Sequence, residues 1–334
     1  MVTVKGLAGV LAAAAVLGSG EACSTNHIRE LKDFAASEAG RKLRGSAISG
    51  TYCTLDEQSP INLPSLPTLR ASLTPEQAYS PIEIEFHETD EDSKMILENL
   101  GGTIEVVPEH TDIYITHNSH AKELGRGVDV NETYQVAQFH FHWDTSFSGY
   151  GSEHYRGGEA FPIEMHIVSF NTKYGDIGTA VGNDDGLLVI GIFGEKSKRK
   201  LANEEFSKIS DAILEAEESD DGFLADAHVE LEDFSLETMI SSIDLAKYDS
   251  YKGSLTTPSC NQIVSWVVMH DTLKLSAEQI RAFQKAHKSE SELIAPNYRE
   301  IQARNGRTVH RSQILCDPKD KDCRLGEFLS LQGF

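Results

Sequence analysis

The run Gln138-Phe139-His140-Phe141-His142-Trp143 and the later Glu164-Met165-His166 hold the residues best suited to chemistry. His140 and His142 are two apart, so on a β-strand both imidazoles point to one face while Phe139, Phe141 and Trp143 point to the other, into a core. His166 lies in a second strand-like run, from Pro162 to Phe170. If the two strands pair, three imidazoles converge, and three histidines with a fourth position open are the donor set of a catalytic zinc site. Gln138 and Glu164 each precede a candidate ligand by two residues and share its face, which makes them acceptors for the other ring N–H. The plainer reading of any one histidine is a half-buried strand residue satisfied by its neighbours. An alternating pair plus a third, with polar companions in place, favours the metal.

Strands have to position these groups. Ile82–Phe86, Thr103–Val107 and Asp112–Ile115 alternate apolar and polar residues and read as half-buried strands. Gly186–Phe193 is apolar throughout and reads as a central strand covered on both faces, and Ile263–Met269, with Trp266, as another. Gly151-Ser152-Glu153-His154 follows the first histidine strand through a glycine-rich loop, and Tyr251–Pro258 reads as an irregular turn leading into the Trp266 strand. Helical periodicity marks Glu204–Ala216 and Ser276–Lys288, the latter opening on a Ser276/Gln279 capping box. Glu215–Asp221 reads as a solvated acidic loop. The expectation from residue 52 onward is one β-dominated domain with a few peripheral helices.

The 334 residues allow a sizeable core, and a net charge of −22 argues against nucleic acid as a partner. Residues 1–22 read as a secretory signal: Lys5, an apolar run from Leu7 to Leu17, then Gly20-Glu21-Ala22. That run is short for a membrane span, an uncleaved anchor or organelle presequence being the alternative, and no other stretch is apolar enough to cross a bilayer. Residues 23–51, with an amphipathic pattern over Ile28–Lys42, read as a pro-segment or appended arm. Five cysteines stand at 23, 53, 260, 316 and 323. A secretory compartment permits disulfides. The odd count leaves one thiol free or available to a second chain. Cys316 and Cys323 are close enough in sequence for a small tail loop. Asn131-Glu132-Thr133 is an N-glycosylation sequon.

Gln58-Ser59-Pro60-Ile61-Asn62, Asn118-Ser119-His120-Ala121, Gln138–Trp143, Gly151-Ser152-Glu153-His154 and Glu164-Met165-His166 occur in that order. Gly191-Ile192-Phe193, Gly253-Ser254-Leu255-Thr256-Thr257-Pro258 and Asn297-Tyr298-Arg299 follow. Over residues 52–310 this series resembles the α-class carbonic anhydrases. The resemblance implies a mainly β (α+β) fold, a large twisted, mostly antiparallel sheet of about ten strands with peripheral helices, with zinc in a conical cleft. It implies reversible hydration of carbon dioxide to bicarbonate by zinc-bound hydroxide, weak esterase activity, and inhibition by sulfonamides and anions.

The resemblance also distributes roles. His140, His142 and His166 hold Zn2+, with Gln138 and Glu164 behind them. Thr256 donates to the ionised Glu153 and accepts from the hydroxide, which sets the direction of each proton. Val168, Val189, Leu255 and Trp266, with Val264 nearby, form the carbon dioxide pocket, and Thr257 contacts bicarbonate. His120 matches the proton shuttle, an imidazole titrating in a useful range, with Asn118 ordering the intervening water. Cys53 pairs with Cys260 as in extracellular members, in keeping with a secreted protein. The residual tail, 311–334, then holds Cys316–Cys323 by elimination, and Cys23 stays unpaired or joins a dimer.

Two departures bear on proton transfer and not on the metal. Residues 23–51 contain no Trp or Tyr where the family usually has a Trp-x-Tyr segment, and Glu123 stands three residues after His120. Two rival readings exist. A non-catalytic binding module of the same fold typically lacks a zinc histidine, whereas here all three ligands, Glu153 and Thr256 are intact. A secreted mineral-associated protein binding Ca2+ through its acidic surface finds no EF-hand loop in the chain.

Overall fold

The structure is a computed structural model that describes residues 52–66, 82–88, 91–117, 132–145, 150–198, 202–219 and 222–312. At its centre are β6 (Glu132–Trp143) and β8 (Ile163–Asn171). Beside β6 lie β4 (Ile104–Glu109), β3 (Lys94–Asn99) and the edge strand β10 (His228–Leu231). Beside β8 lie β9 (Leu187–Lys196), β12 (Val264–Met269), β11 (Tyr248–Gly253) and β16 (His310–Arg311). β5 (Thr111–His117) pairs with the first half of β6 and carries β2 (Glu83–Glu88), and β13 (Leu273–Leu275) pairs with the end of β9. These make one twelve-stranded sheet among the described residues, against the expected ten or so. Its pairings are antiparallel except those of β9 with β12 and β13. Two short ribbons stand apart, β1 (Asn62–Leu63) with β7 (Tyr155–Arg156), and β14 (His287–Ser289) with β15 (Glu292–Leu293).

The period of two sorts side chains between the sheet's faces. Phe139, Phe141 and Trp143 of β6, Ile163, Met165 and Ile167 of β8, and Leu188, Ile190 and Ile192 of β9 join one core. Helices cover that face. α1 (Ile177–Ala180), α2 (Glu204–Glu217), α3 (Leu236–Ile240) and α4 (Ala277–Lys285) are the four α-helices among the described residues, and α2 through α4 bury Phe206, Ile209, Ile213, Leu236, Ile280 and Phe283 against it. Phe283 sits 4.9 Å from the Phe141 ring and 5.2 Å from that of Trp143. Truncating such a residue to alanine costs about 3–5 kcal/mol. The Ser276/Gln279 capping box forms as expected and starts α4. The opposite face carries a second apolar cluster with Val168, Val189, Val264 and Trp266, and the polar groups of the site.

Three local expectations change. Tyr251, Lys252 and Gly253 end strand β11, paired with Trp266, Ser265 and Val264, so the irregular loop begins only at Ser254. The ladder with β12 takes up their backbone groups, and Tyr248 and Tyr251 are both enclosed. β4 is buried on both faces, Glu105 included: Ile104 and Val106 join the helix-covered core, and Glu105 lies in register with His140. The first three residues of the stretch read as solvated loop, Glu215, Ala216 and Glu217, instead finish α2, and Glu217 accepts from His287 N at 2.8 Å. Among the described residues no helix is long and apolar enough to cross a membrane.

Candidate metal centre

The register of β6 on β8 decides where the imidazoles meet. His140 pairs with His166 and His142 with Glu164, so these side chains rise from the same face. Each ring already has one nitrogen committed. Gln138 Oε1 lies 2.9 Å from His140 Nδ1, the Asn297 carbonyl 2.8 Å from His142 Nδ1, and Glu164 Oε1 2.9 Å from His166 Nε2. Carbonyl and carboxylate oxygens accept, so these three nitrogens carry the protons.

The bare nitrogens are therefore Nε2 of His140, Nε2 of His142 and Nδ1 of His166. The three residues offer ligand atoms within 4.8 Å of one another, and the two Nε2 atoms are 3.1 Å apart. Two lone pairs facing at that distance repel unless a cation lies between them. Tetrahedral zinc, with bonds of about 2.0–2.1 Å, sets its ligand nitrogens ~3.3 Å apart. The residues present fit Zn2+, although imidazole ligands alone also admit cobalt. Burial, then the nearby His142 and His166 rings, holds His140 well below the usual imidazole range. Burial lowers His166 as well, against the pull of Glu164. Both rings are thus neutral and able to ligate.

Behind the ligands runs a buried polar chain. Glu164 accepts from His154 through Oε1 at 2.7 Å, and from the His154 backbone N–H through Oε2 at 2.7 Å. His154 Nε2 meets Tyr251 Oη at 2.6 Å, and Tyr251 donates to Ser59 Oγ at 2.8 Å. Ser59 Oγ in turn accepts from Ser254 N at 3.0 Å, at the start of the Thr256 loop. Burial opposes ionisation of Glu164, but His154 and His166 outweigh it and hold the carboxyl well below its usual range. Burial raises Tyr251 well above the usual phenol value, so it stays neutral.

In front of the ligands stands Glu153. Its Oε1 accepts from the Arg299 backbone N–H at 2.8 Å. Its Oε2 lies 3.5 Å from His142 Nε2 and 3.9 Å from His166 Nδ1, buried and without a hydrogen-bond partner. Thr256 is half-buried on the neighbouring loop, but its hydroxyl makes no hydrogen bond to Glu153 in this geometry. The loop is fastened on both sides: Trp266 Nε1 donates to the Ser254 carbonyl at 3.0 Å, Cys260 N to the Thr257 carbonyl at 2.8 Å, and Cys53 is bonded to Cys260.

The apolar residues assigned by resemblance do come together. Val168 pairs with Val189, Val189 with Trp266, and all three share one cluster with Leu255 and Val264. Thr257 is exposed at the loop surface. His120, Asn118, Glu123 and Asn131 lie outside the described residues, as do Cys23, Cys316, Cys323, the signal-like residues 1–22 and the segment 23–51. Sequence reasoning gave no role to Asn297, whose carbonyl aims His142, nor to Tyr251 and Ser59. It also read Glu105 as part of a half-buried strand, whereas that carboxylate is fully buried in direct register with His140.

Comparison with known proteins agrees with this geometry. The family model described as eukaryotic-type carbonic anhydrase matches residues 47–313. Carbonic anhydrase 1 of the rabbit, Oryctolagus cuniculus, is 28% identical over 243 residues, 70% of this chain and 98% of that protein. Carbonic anhydrase 6 of cattle, Bos taurus, is 33% identical over 208 residues, 60% of this chain and 63% of that protein. A relative from Caenorhabditis elegans is 31% identical over 190 residues, 57% of this chain and 58% of its own length. The matched region thus spans less than two thirds of the cattle and nematode proteins and nearly all of the rabbit one.

Proposed function

The chain belongs to the eukaryotic-type carbonic anhydrase family, and on that premise we propose that it interconverts carbon dioxide and bicarbonate at a zinc ion held by His140, His142 and His166. The observation that carries this reading is the convergence of three bare ring nitrogens, each with its partner nitrogen occupied. Zinc there would make hydroxide available from water near neutral pH and offset charge developing on the substrate oxygen, chemistry for which this family is the standard example.

The chain's own residues do the rest. Glu153 ionised can only accept, so the Thr256 hydroxyl has to turn toward Oε2 to donate to it, and then takes its own hydrogen bond from the attacking oxygen. That leaves a lone pair aimed at the substrate carbon. Val168, Val189, Leu255, Val264 and Trp266 offer carbon dioxide an apolar wall that needs no charge, and Thr257 hydrogen-bonds the bicarbonate leaving the mouth. The proton liberated on each turnover passes through water ordered by Asn118 to His120 and then to buffer. Entry into a secretory route, by removal of residues 1–22, accounts for the Cys53–Cys260 bond.

The test is stopped-flow hydration by oxidised protein of known metal content, with and without a zinc-binding sulfonamide. Sulfonamide-sensitive hydration is expected. His120→Ala should slow it in a weak buffer that cannot relay protons, with added imidazole restoring the rate. An inactive protein with a full complement of zinc overturns the proposal.

A further inference from the structure

The segment from Asn297 to Gln302 has no regular structure apart from one bridge to Ile61, yet it supplies two backbone groups to the metal centre. The Asn297 carbonyl receives His142 Nδ1–H, and the Arg299 N–H holds Glu153 Oε1, each at 2.8 Å. Regular structure fixes a backbone group through its ladder. An irregular segment needs side chains to do so. Asn297 fastens its own end, its Oδ1 accepting from Trp143 N at 2.7 Å and its Nδ2 donating to the Phe141 carbonyl at 3.0 Å and the Gly102 carbonyl at 3.2 Å; Arg299 fastens the next part. The Arg299 side chain runs away from the site and donates through one nitrogen to Gln58 Oε1 at 2.9 Å and the Ser59 carbonyl at 2.8 Å, and through the other to the Cys53 carbonyl at 3.2 Å.

Those three acceptors are themselves fastened. Cys53 is bonded to Cys260, Gln58 Nε2 donates to the Cys260 carbonyl at 3.2 Å, and Ser59 N donates to Ser254 Oγ at 2.9 Å. Arg299 therefore stands where the bridged segment 53–59, the Thr256 loop and the Glu153 turn meet. In a chain with 52 acidic residues, its guanidinium forms no ion pair among the described residues; it is spent on two carbonyls and an amide. A fork with fixed donor directions suits that use, and the single ammonium of lysine does not reproduce it.

We propose that the Arg299 guanidinium is a positioning residue for the metal centre: together with the Asn297 side chain it sets the segment whose backbone aims His142 at the metal and Glu153 at the attacking oxygen. The inference rests on the metal site read above. It separates Arg299 from a simple structural staple. A staple affects how much protein is folded, whereas a positioning residue affects how well the folded protein holds its metal. Loss of an outer partner of a metal ligand costs about 10–100-fold in metal affinity or activity.

The experiment compares wild type with Arg299→Ala and Arg299→Lys as full-length oxidised proteins, well below their melting temperatures. Zinc affinity is read by competition with a chromophoric chelator, and ligand geometry by the visible spectrum of the cobalt-substituted form. The expected result is zinc binding about 10-fold weaker or more in Arg299→Ala, with an altered cobalt spectrum and Arg299→Lys in between. Wild-type zinc affinity and spectrum in both variants, with only a lower melting temperature, overturns the proposal. If Arg299→Ala does not fold, Arg299→Lys decides by the same two readouts. Neither readout is catalytic, so an inactive wild type whose zinc affinity depends on Arg299 sinks the assigned reaction and leaves this inference standing.

Discussion

Proton placement at single atoms prepares this site before a metal arrives. The carbonyl of Gln138, the carboxylate of Glu164 and the backbone carbonyl of Asn297 each claim one ring proton, so the nitrogens that converge are the bare ones. Glu153 is set up by the opposite logic. One oxygen is occupied by Arg299 N–H and the other is buried and unpartnered beside the ligands. A buried carboxylate oxygen left without a donor is costly, and a hydroxyl donor such as Thr256 is what would relieve it. Glu153→Gln tests the assignment with little change of shape, because an amide brings N–H donors to the place where an acceptor is needed. Hydration should fall about 10²-fold or more while zinc content stays at the wild-type level. A variant as fast as wild type would remove Glu153 from the proton-ordering role.

Strands turn these residue choices into a site. β8 lies between β6, which brings His140 and His142, and β9, which must come close without crowding Glu164. Gly191 on β9 is in register with His166, and a Cβ there would lie 3.0 Å from Glu164 Oε1 and 3.5 Å from Val268. Gly191→Ala should therefore displace the carboxylate that orients His166, and we expect zinc affinity to drop about 10-fold, measured by chelator competition on folded protein. Unchanged affinity would show that Glu164 can yield without turning the ring. At this scale the sequence is a good guide wherever position is set by local period. Alternation alone puts His140, His142 and Gln138 on one face, and pairing with the strand of His166 follows from the same pattern. What escapes is set by contacts between distant parts of the chain. Arg299 reaches Glu153 across 146 positions and Gln58 across 241, and no local pattern marks either. Glu105 escapes for a related reason. Polar alternation in Thr103–Val107 signals a solvent-facing side, but that side is the face of the metal centre, where Glu105 is enclosed in register with His140.

Across the whole molecule, acidity acts on groups that the fold keeps in one charge state. Asp249, enclosed on β11, pairs with Arg156 of β7 and with Arg311 of β16 through Nε at 2.7 Å, joining three parts of the chain. Burial opposes its ionisation, but His270 at 3.2 Å, Arg311 and Arg156 outweigh that and hold it far below the usual carboxyl range. His270 is itself lowered, by burial first and then by the two guanidiniums, against the pull of Asp249. Burial likewise lowers His140, His166 and His310. In the unfolded chain these imidazoles take up protons near pH 6.5, while in the fold they resist. The unfolded state then binds more protons, so their stabilisation is complete above about pH 6.5 and is lost as pH falls through it. The depressed carboxyls Asp249 and Glu164 have the same sign but act lower, below about pH 4. Relief of repulsion in a chain of net charge −22 works the other way, yet it needs surface carboxylates to titrate, mostly below pH 5. Between pH 7 and pH 5 the histidines should win. The denaturant midpoint of metal-free, oxidised protein should fall over that interval at fixed ionic strength, by about 1.4 kcal/mol for each unit of imidazole depression expressed there. A midpoint that holds or rises would mean that these rings are already protonated in the fold, and with that the neutral donor set would be lost.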